Sequence, residues 1–131
     1  MEKKPKAPDY ESELTHRIIG AAIEVHKSLG PGLLESAYQI CLARELALRQ
    51  IEFEQEKPIP IHYKGVALDC GSRLDFVVEN RVVVELKAVE KALPVHEAQL
   101  LTYLKLTGCK VGLLINFNIP VLKDGVTRLV L

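Results

Sequence analysis

Apolar residues recur at helical spacing in three stretches of the chain. This spacing predicts a first helix over Ser12–Leu29, a second over about 33–50, and a third that opens at Pro94 and ends near residue 108. Gly30-Pro31 ends the first helix, because glycine adopts the left-handed cap and proline cannot continue the helical hydrogen bonds. The second helix is expected to bury a stripe made of Leu34, Ala37, Cys41 and Leu42, flanked by Tyr38 and Leu46.

Apolar and polar residues alternate with a period of two between residues 52 and 68, which predicts strands. Pro58 and Pro60 interrupt this segment and favour an edge strand, since proline cannot donate a ladder hydrogen bond. Lys64-Gly65 predicts a turn within it. Nearer the C-terminus the pattern predicts a buried strand over 111–116, a hairpin turn at Asp124-Gly125 and a closing strand over 126–131.

The most informative stretch contains two apolar runs separated by a short polar break. Residues 74–78 and 82–86 are mostly β-branched or apolar, and Glu79-Asn80-Arg81 lies between them. If this break is a three-residue loop, Val78 pairs with Val82 in an antiparallel hairpin. The second run begins with three consecutive valines, which is typical of a strand covered on both faces.

The same hairpin register places Asp75 directly opposite Glu85, with Cβ atoms about 4.5–5.5 Å apart, and places Lys87 on the face of Glu85. Two such carboxylates on a buried sheet require a proton on one of them or a cation between them. Carboxylate oxygens suit Mg²⁺ or Mn²⁺, and Lys87 could stabilise charge on a phosphate under attack. The pattern therefore indicates a metal-dependent phosphodiesterase site. The alternative is that Asp75 caps a turn while Glu85 and Lys87 form an ion pair on a solvated strand.

Two helices carry further candidate residues. Glu35 lies in the first turn of the second helix on the face of Tyr38, where it is either a third carboxylate aimed at the sheet or an acid favoured by the helix N-terminus. In the third helix His96, Gln99 and Tyr103 share one face. That polar stripe either faces a phosphate backbone or metal site, or is simply solvated.

Composition limits the class of protein. The chain has 131 residues, enough for a single domain, which we place at 12–131 after a flexible tail at 1–11. Seventeen basic and 17 acidic residues balance, so the sequence has no broad cationic field for nucleic acid. Three widely separated cysteines, with no signal peptide and no membrane-length apolar run in the sequence, predict a cytoplasmic protein without membrane contact.

Five sequence blocks follow one another in a defined order, namely Gly32-Leu33-Leu34-Glu35-Ser36-Ala37-Tyr38, Arg73-Leu74-Asp75, Val84-Glu85-Leu86-Lys87, Gln99-Leu100-Leu101-Thr102-Tyr103 and Leu114-Ile115-Asn116-Phe117. In this combination they resemble the GxxExxY proteins, a family placed in the PD-(D/E)XK nuclease superfamily. The resemblance covers nearly the whole domain. It implies an α/β (α+β) fold with a restriction-endonuclease-like core, in which a mixed β-sheet is flanked by helices.

The resemblance also implies roles for individual residues. Asp75 and Glu85 would bind the metal ion, Mg²⁺ or Mn²⁺, and Lys87 would position or activate water and stabilise the transition state. Glu35 would complete or support the metal site. Leu74 stands where the superfamily name has proline, a position that varies widely. Residues expected to support the site or to contact nucleic acid are Gln99, Tyr103, His96 and Tyr38.

We therefore expect a divalent-metal-dependent nuclease that hydrolyses phosphodiester bonds, with DNA favoured over RNA by analogy alone. One alternative is a nucleic-acid-binding or regulatory module that keeps the fold but has little or no turnover, which the neutral charge balance favours. Another is an interaction protein in which the carboxylates are structural. A homodimer would enlarge the surface available to nucleic acid.

Overall fold

The structure is a computed structural model that describes residues 10–131. Its helices are α1 (Ser12–Leu29), α2 (Glu35–Leu48) and α3 (Pro94–Thr107), together with a short 3₁₀ turn at Leu122–Gly125. Most of the tail predicted at 1–11 lies outside the described residues, so that boundary stays a prediction. The helices within residues 10–131 are all too short or too polar to cross a membrane. The strands are β1 (Phe53–Pro58), β2 (Ile61–Tyr63), β3 (Val66–Leu68), β4 (Arg73–Val78), β5 (Val82–Lys87), β6 (Val111–Asn116) and β7 (Val126–Val130).

Five of the strands form one mixed sheet in the order β1-β4-β5-β6-β7. The β5–β6 pair is parallel and the other three pairs are antiparallel. A parallel pair requires a crossover, and α3 supplies it between β5 and β6. β1, which ends at Pro58, is an edge strand as predicted, and β2 and β3 form a separate two-stranded hairpin. The predicted mixed sheet flanked by helices is thus confirmed.

The sheet is covered on both faces. On one face, α1 and α2 pack against a buried cluster that includes Val82, Val84 and Leu86 of β5. On the other face, α3 packs against a second cluster that includes Val83. Because side chains alternate along β5, Glu85 belongs to the α3 face of a strand that is buried throughout most of its length. Burial on both faces explains the consecutive valines.

The prediction for α2 was wrong in detail. Its buried residues are Tyr38, Leu42 and Leu46, whereas Leu34 is 79% exposed and Cys41 is only partly buried. Leu34 has an extended backbone and precedes the first helical turn, so it does not share the helical stripe. The Tyr38 ring is fully buried and stacks on Phe117 at 4.5 Å. Tyr38 therefore turns inward, and the stripe is rotated relative to the predicted one.

The predicted hairpin turn at Asp124-Gly125 was also wrong. β6 and β7 do pair antiparallel, but residues 117–125 connect them and end in the 3₁₀ turn. This connection is longer than a tight turn because Phe117 and Leu122 are buried in the cluster beneath α1 and α2. Two apolar anchors in the connection outweigh the local turn preference of Asp-Gly.

Candidate active site

Asp75 and Glu85 lie side by side at one end of the β4–β5 pair. The pairs Val78–Val82, Val77–Val83 and Phe76–Val84 confirm the register predicted from the three-residue loop. Continuing this register by one residue places Asp75 opposite Glu85. The Asp75 Oδ2 atom accepts a hydrogen bond of 2.8 Å from the Leu86 backbone amide. The Asp75 side chain therefore lies against β5, as the sequence predicted.

Glu85 is a buried carboxyl group that is incompletely satisfied. It is 5% exposed, and its Oε1 atom has no hydrogen-bond partner within the described residues. Burial, followed by repulsion from the Asp75 carboxylate, raises the pKa of Glu85 to about 9. Such a group is stable either with a proton or beside a cation. A divalent ion with a preference for oxygen ligands fits this pair, because it would satisfy the free oxygen and neutralise both charges.

Lys87 is the last residue of β5 and is half-buried on the Glu85 side of the strand. Its carbonyl oxygen accepts a 2.9 Å hydrogen bond from the Phe117 amide, and in the parallel β5–β6 register it lies opposite Asn116. Asn116 is 5% exposed, and its side chain accepts from the Val89 amide at 3.1 Å and donates to the Val89 carbonyl at 2.9 Å. These bonds fix the backbone at Lys87 and two residues after it, at Val89.

A role for Asn116 in positioning the site was not predicted from the sequence. The available signal was a polar side chain that ends the otherwise apolar strand 111–116. A buried amide at such a position requires partners, and those partners proved to lie in the segment after β5.

Glu35 is the first residue of α2 and lies within electrostatic reach of the sheet carboxylates. Partial burial raises its pKa, Lys87 acts in the opposite direction, and Asp75 and Glu56 raise it further. Because Lys87 and Asp75 both influence the pKa of Glu35, this acid lies close enough to interact with the sheet residues of the site. Residues 10–131 nevertheless contain no group of three His, Cys, Asp or Glu side chains arranged to hold a metal ion. The metal role of Glu35 stays a prediction.

Glu56 of β1 is a nearby acid that the sequence analysis missed. The pairs Gln55–Phe76 and Lys57–Leu74 bracket it, so it lies opposite Asp75 on the other side of β4. Its φ of 51° is unusual for a residue with a Cβ atom, and its carboxylate accepts a hydrogen bond from the Gln39 amide of α2. The position of Glu56 depends on the long-range pairing of β1 with β4, which local pattern does not give.

The α3 helix contributes Gln99 and Tyr103. The Gln99 amide donates a 2.9 Å hydrogen bond to the Tyr103 hydroxyl. Tyr103 is buried, with 8% of its surface exposed. Burial and then the Glu85 charge raise the pKa of Tyr103, the Gln99 bond lowers it, and Asp75 raises it slightly further. Tyr103 belongs to the buried cluster on the α3 face of the sheet, the face that also carries Glu85, and its hydroxyl lies within electrostatic reach of both acids.

His96 and Tyr38, the two remaining candidates, have local partners. The His96 Nδ1 atom accepts from the Leu93 amide at 3.0 Å and so caps the start of α3. The Tyr38 hydroxyl donates to the Gly30 carbonyl at 2.6 Å and accepts from the Leu33 amide at 3.2 Å. Since Tyr38 is fully buried, it supports the loop before Glu35 and does not present a surface to nucleic acid.

The fold agrees with the comparison to protein families. The model of the PD-(D/E)XK nuclease superfamily matches residues 12–129, and the chain belongs to that superfamily. The narrower resemblance to the GxxExxY proteins stays a prediction. Comparison with curated proteins gave no match, and comparison with solved structures gave none.

Proposed function

We propose that this protein is a divalent-metal-dependent nuclease that hydrolyses phosphodiester bonds in nucleic acid, with DNA the favoured substrate. Membership of the PD-(D/E)XK nuclease superfamily supports a nuclease-like function in general. The observation that carries the more specific proposal is the buried Glu85 carboxyl group, which has an oxygen without a partner and lies beside Asp75.

Asp75 and Glu85 would hold the metal ion, Mg²⁺ or Mn²⁺. Mg²⁺ is commonly bound through one or two carboxylates, with water or phosphate as its remaining ligands, so a two-carboxylate site suffices. When bound, such an ion offsets negative charge on the phosphate and lowers the pKa of water. Glu35 would support the same site from α2, where its raised pKa makes it a candidate to take up a proton.

Lys87 and the α3 pair would act on the substrate itself. The Lys87 amine lies on the side of β5 that carries Glu85, so it can donate a hydrogen bond to a phosphate oxygen as charge develops there. The Tyr103 hydroxyl accepts from Gln99 and keeps its own hydrogen to donate. Together these groups would orient a phosphodiester between β5 and α3.

Cleavage of plasmid DNA and labelled oligonucleotides, with Mg²⁺ or Mn²⁺, tests this proposal. We expect product from the wild type and at least about 100-fold less from Glu85→Gln or Lys87→Ala, since each removes a group that contacts the reacting phosphate or its ion. Glu97→Gln is the matched control, because Glu97 is an exposed acid on α3. Equal product from the wild type and Glu85→Gln would refute the proposed site.

The balance of 17 basic and 17 acidic residues favours a second candidate, a nucleic-acid-binding or regulatory module with little turnover. The same cleavage experiment, combined with a binding measurement, separates the two. Binding without product above the Glu85→Gln level would assign the protein to the second class. Light scattering on the purified protein would test the predicted homodimer.

A further inference from the structure

The β2–β3 hairpin emerges from the end of the sheet that carries the acids. It connects the last residue of β1 with the first residue of β4, and these two residues, Pro58 and Arg73, form the terminal pair of their ladder. Asp75 follows Arg73 by two residues along β4. The hairpin strands pair with each other and stand outside the five-stranded sheet. The hairpin is therefore a projection beside the candidate active site.

One face of this hairpin is apolar and open. Direct pairing of Ile61 with Leu68 and of Tyr63 with Val66 places these four side chains on the same face. Tyr63 is 62% exposed, which makes it the most exposed aromatic residue in the described part of the chain. Contiguous exposed apolar side chains on a projecting hairpin are typical of a binding surface.

The hairpin tip adds a cation to this aromatic surface. Lys64 and Gly65 have φ values of 48° and 81°, which is the conformation of a tight two-residue hairpin turn. The Lys64 Nζ atom lies 5.4 Å from the centre of the Tyr63 ring. Within residues 10–131, Arg73 at the hairpin base has an acidic partner, Asp69 at 3.4 Å, whereas Lys64 has no ion pair. The tip therefore presents one aromatic ring with one available positive charge.

We infer that the β2–β3 hairpin binds single-stranded nucleic acid, with a base stacked on Tyr63 and a neighbouring phosphate contacted by Lys64. This inference rests on the proposed function. A base has an apolar face and lies next to an anionic phosphate, which matches the ring and the amine of this hairpin in both chemistry and charge. The continuity of the hairpin with the acidic end of β4 lets a strand held here reach the candidate active site. Stacking does not need a broad basic surface, so the inference also accommodates the neutral charge balance.

Fluorescence anisotropy in EDTA tests the inference without cleavage. The probes are a labelled oligothymidine of about twelve nucleotides and an abasic oligonucleotide of equal length and charge. We expect Tyr63→Ala to weaken oligothymidine binding about tenfold and to leave abasic binding unchanged, while Tyr63→Phe keeps the wild-type affinity. Lys64→Ala should lower the affinity for both probes, because both carry phosphates. Leu48→Ala, an exposed apolar residue at the far end of α2, is the control and should bind as the wild type does.

Several results would overturn this inference. They are equal affinity of the wild type for the two probes, no binding of oligothymidine, or no effect of Tyr63→Ala. If light scattering shows that the wild type is an oligomer and that Tyr63→Ala is a monomer, the apolar face of the hairpin would instead be a contact between copies of the chain. Failure of metal-dependent cleavage would count against the proposed nuclease but not against the hairpin, since the binding measurement requires neither metal nor turnover.

Discussion

Replacing Glu85 by glutamine should change how the stability of the metal-free protein depends on pH. In the folded protein the pKa of Glu85 is raised to about 9, against 4.5 for an ordinary glutamate. Between these values the folded protein holds a proton that the unfolded chain lacks. The stabilisation that this proton provides is therefore complete below the pKa of Glu85 in the unfolded chain, and it is lost as the pH rises toward 9.

The expected loss is about 1.4 kcal/mol per pH unit, or about 3 kcal/mol between about pH 6 and pH 8. Because Glu85 is only 5% exposed, solvent does not screen most of this effect. Glutamine has nearly the same shape and does not titrate, so the free energy of unfolding of Glu85→Gln should fall less steeply over this range. The free energy of unfolding of the variant, relative to that of the wild type, should therefore increase as the pH rises.

Urea denaturation in EDTA at several pH values measures this difference directly. Glu97→Gln, which removes an exposed carboxylate from α3, should follow the wild-type pH dependence. Parallel curves for the wild type and Glu85→Gln would refute the reasoning, because they would mean that the buried carboxyl does not hold a proton in the folded protein.

Three further substitutions test the support around the site, each by urea denaturation. Tyr38→Phe should cost about 1–2 kcal/mol, since it removes the hydroxyl that bonds to Gly30 and Leu33, and an unchanged midpoint would contradict this role. Leu42→Ala should cost about 2–5 kcal/mol because Leu42 is fully buried under α1, whereas a cost below about 1 kcal/mol would place it outside the core. Asn116→Ala should cost about 1–3 kcal/mol through its lost bonds to Val89 and should also reduce cleavage; normal cleavage would show that Lys87 is positioned without it.

The β4–β5 hairpin was predictable because its pairing is local. A polar break of three residues fixed the pair Val78–Val82, and the next pairs followed by continuing the antiparallel register. The relation between Asp75 and Glu85 is therefore a consequence of loop length. Alternation alone then placed Lys87 with Glu85.

Features that depend on distant parts of the chain were not predictable in this way. Glu56 lies opposite Asp75 only because β1 pairs with β4 across the intervening hairpin, and its positive φ has no local sequence signal. The rotation of α2 depends on the contact of Tyr38 with Phe117, which is distant in sequence. The role of Asn116 similarly depends on Val89 in another segment. In each case tertiary packing or a buried polar group outweighed the local pattern.

Calorimetric titration with Mn²⁺, at about pH 7 and in buffers of different ionisation enthalpy, tests the central claim most directly. If Asp75 and Glu85 form the metal site, the ion must displace the proton that Glu85 holds, so binding should release about one proton per ion. Glu85→Gln should bind much more weakly and release none. No heat from the wild type at millimolar Mn²⁺, or equal binding by the variant, would contradict the assignment of this pair as a metal site.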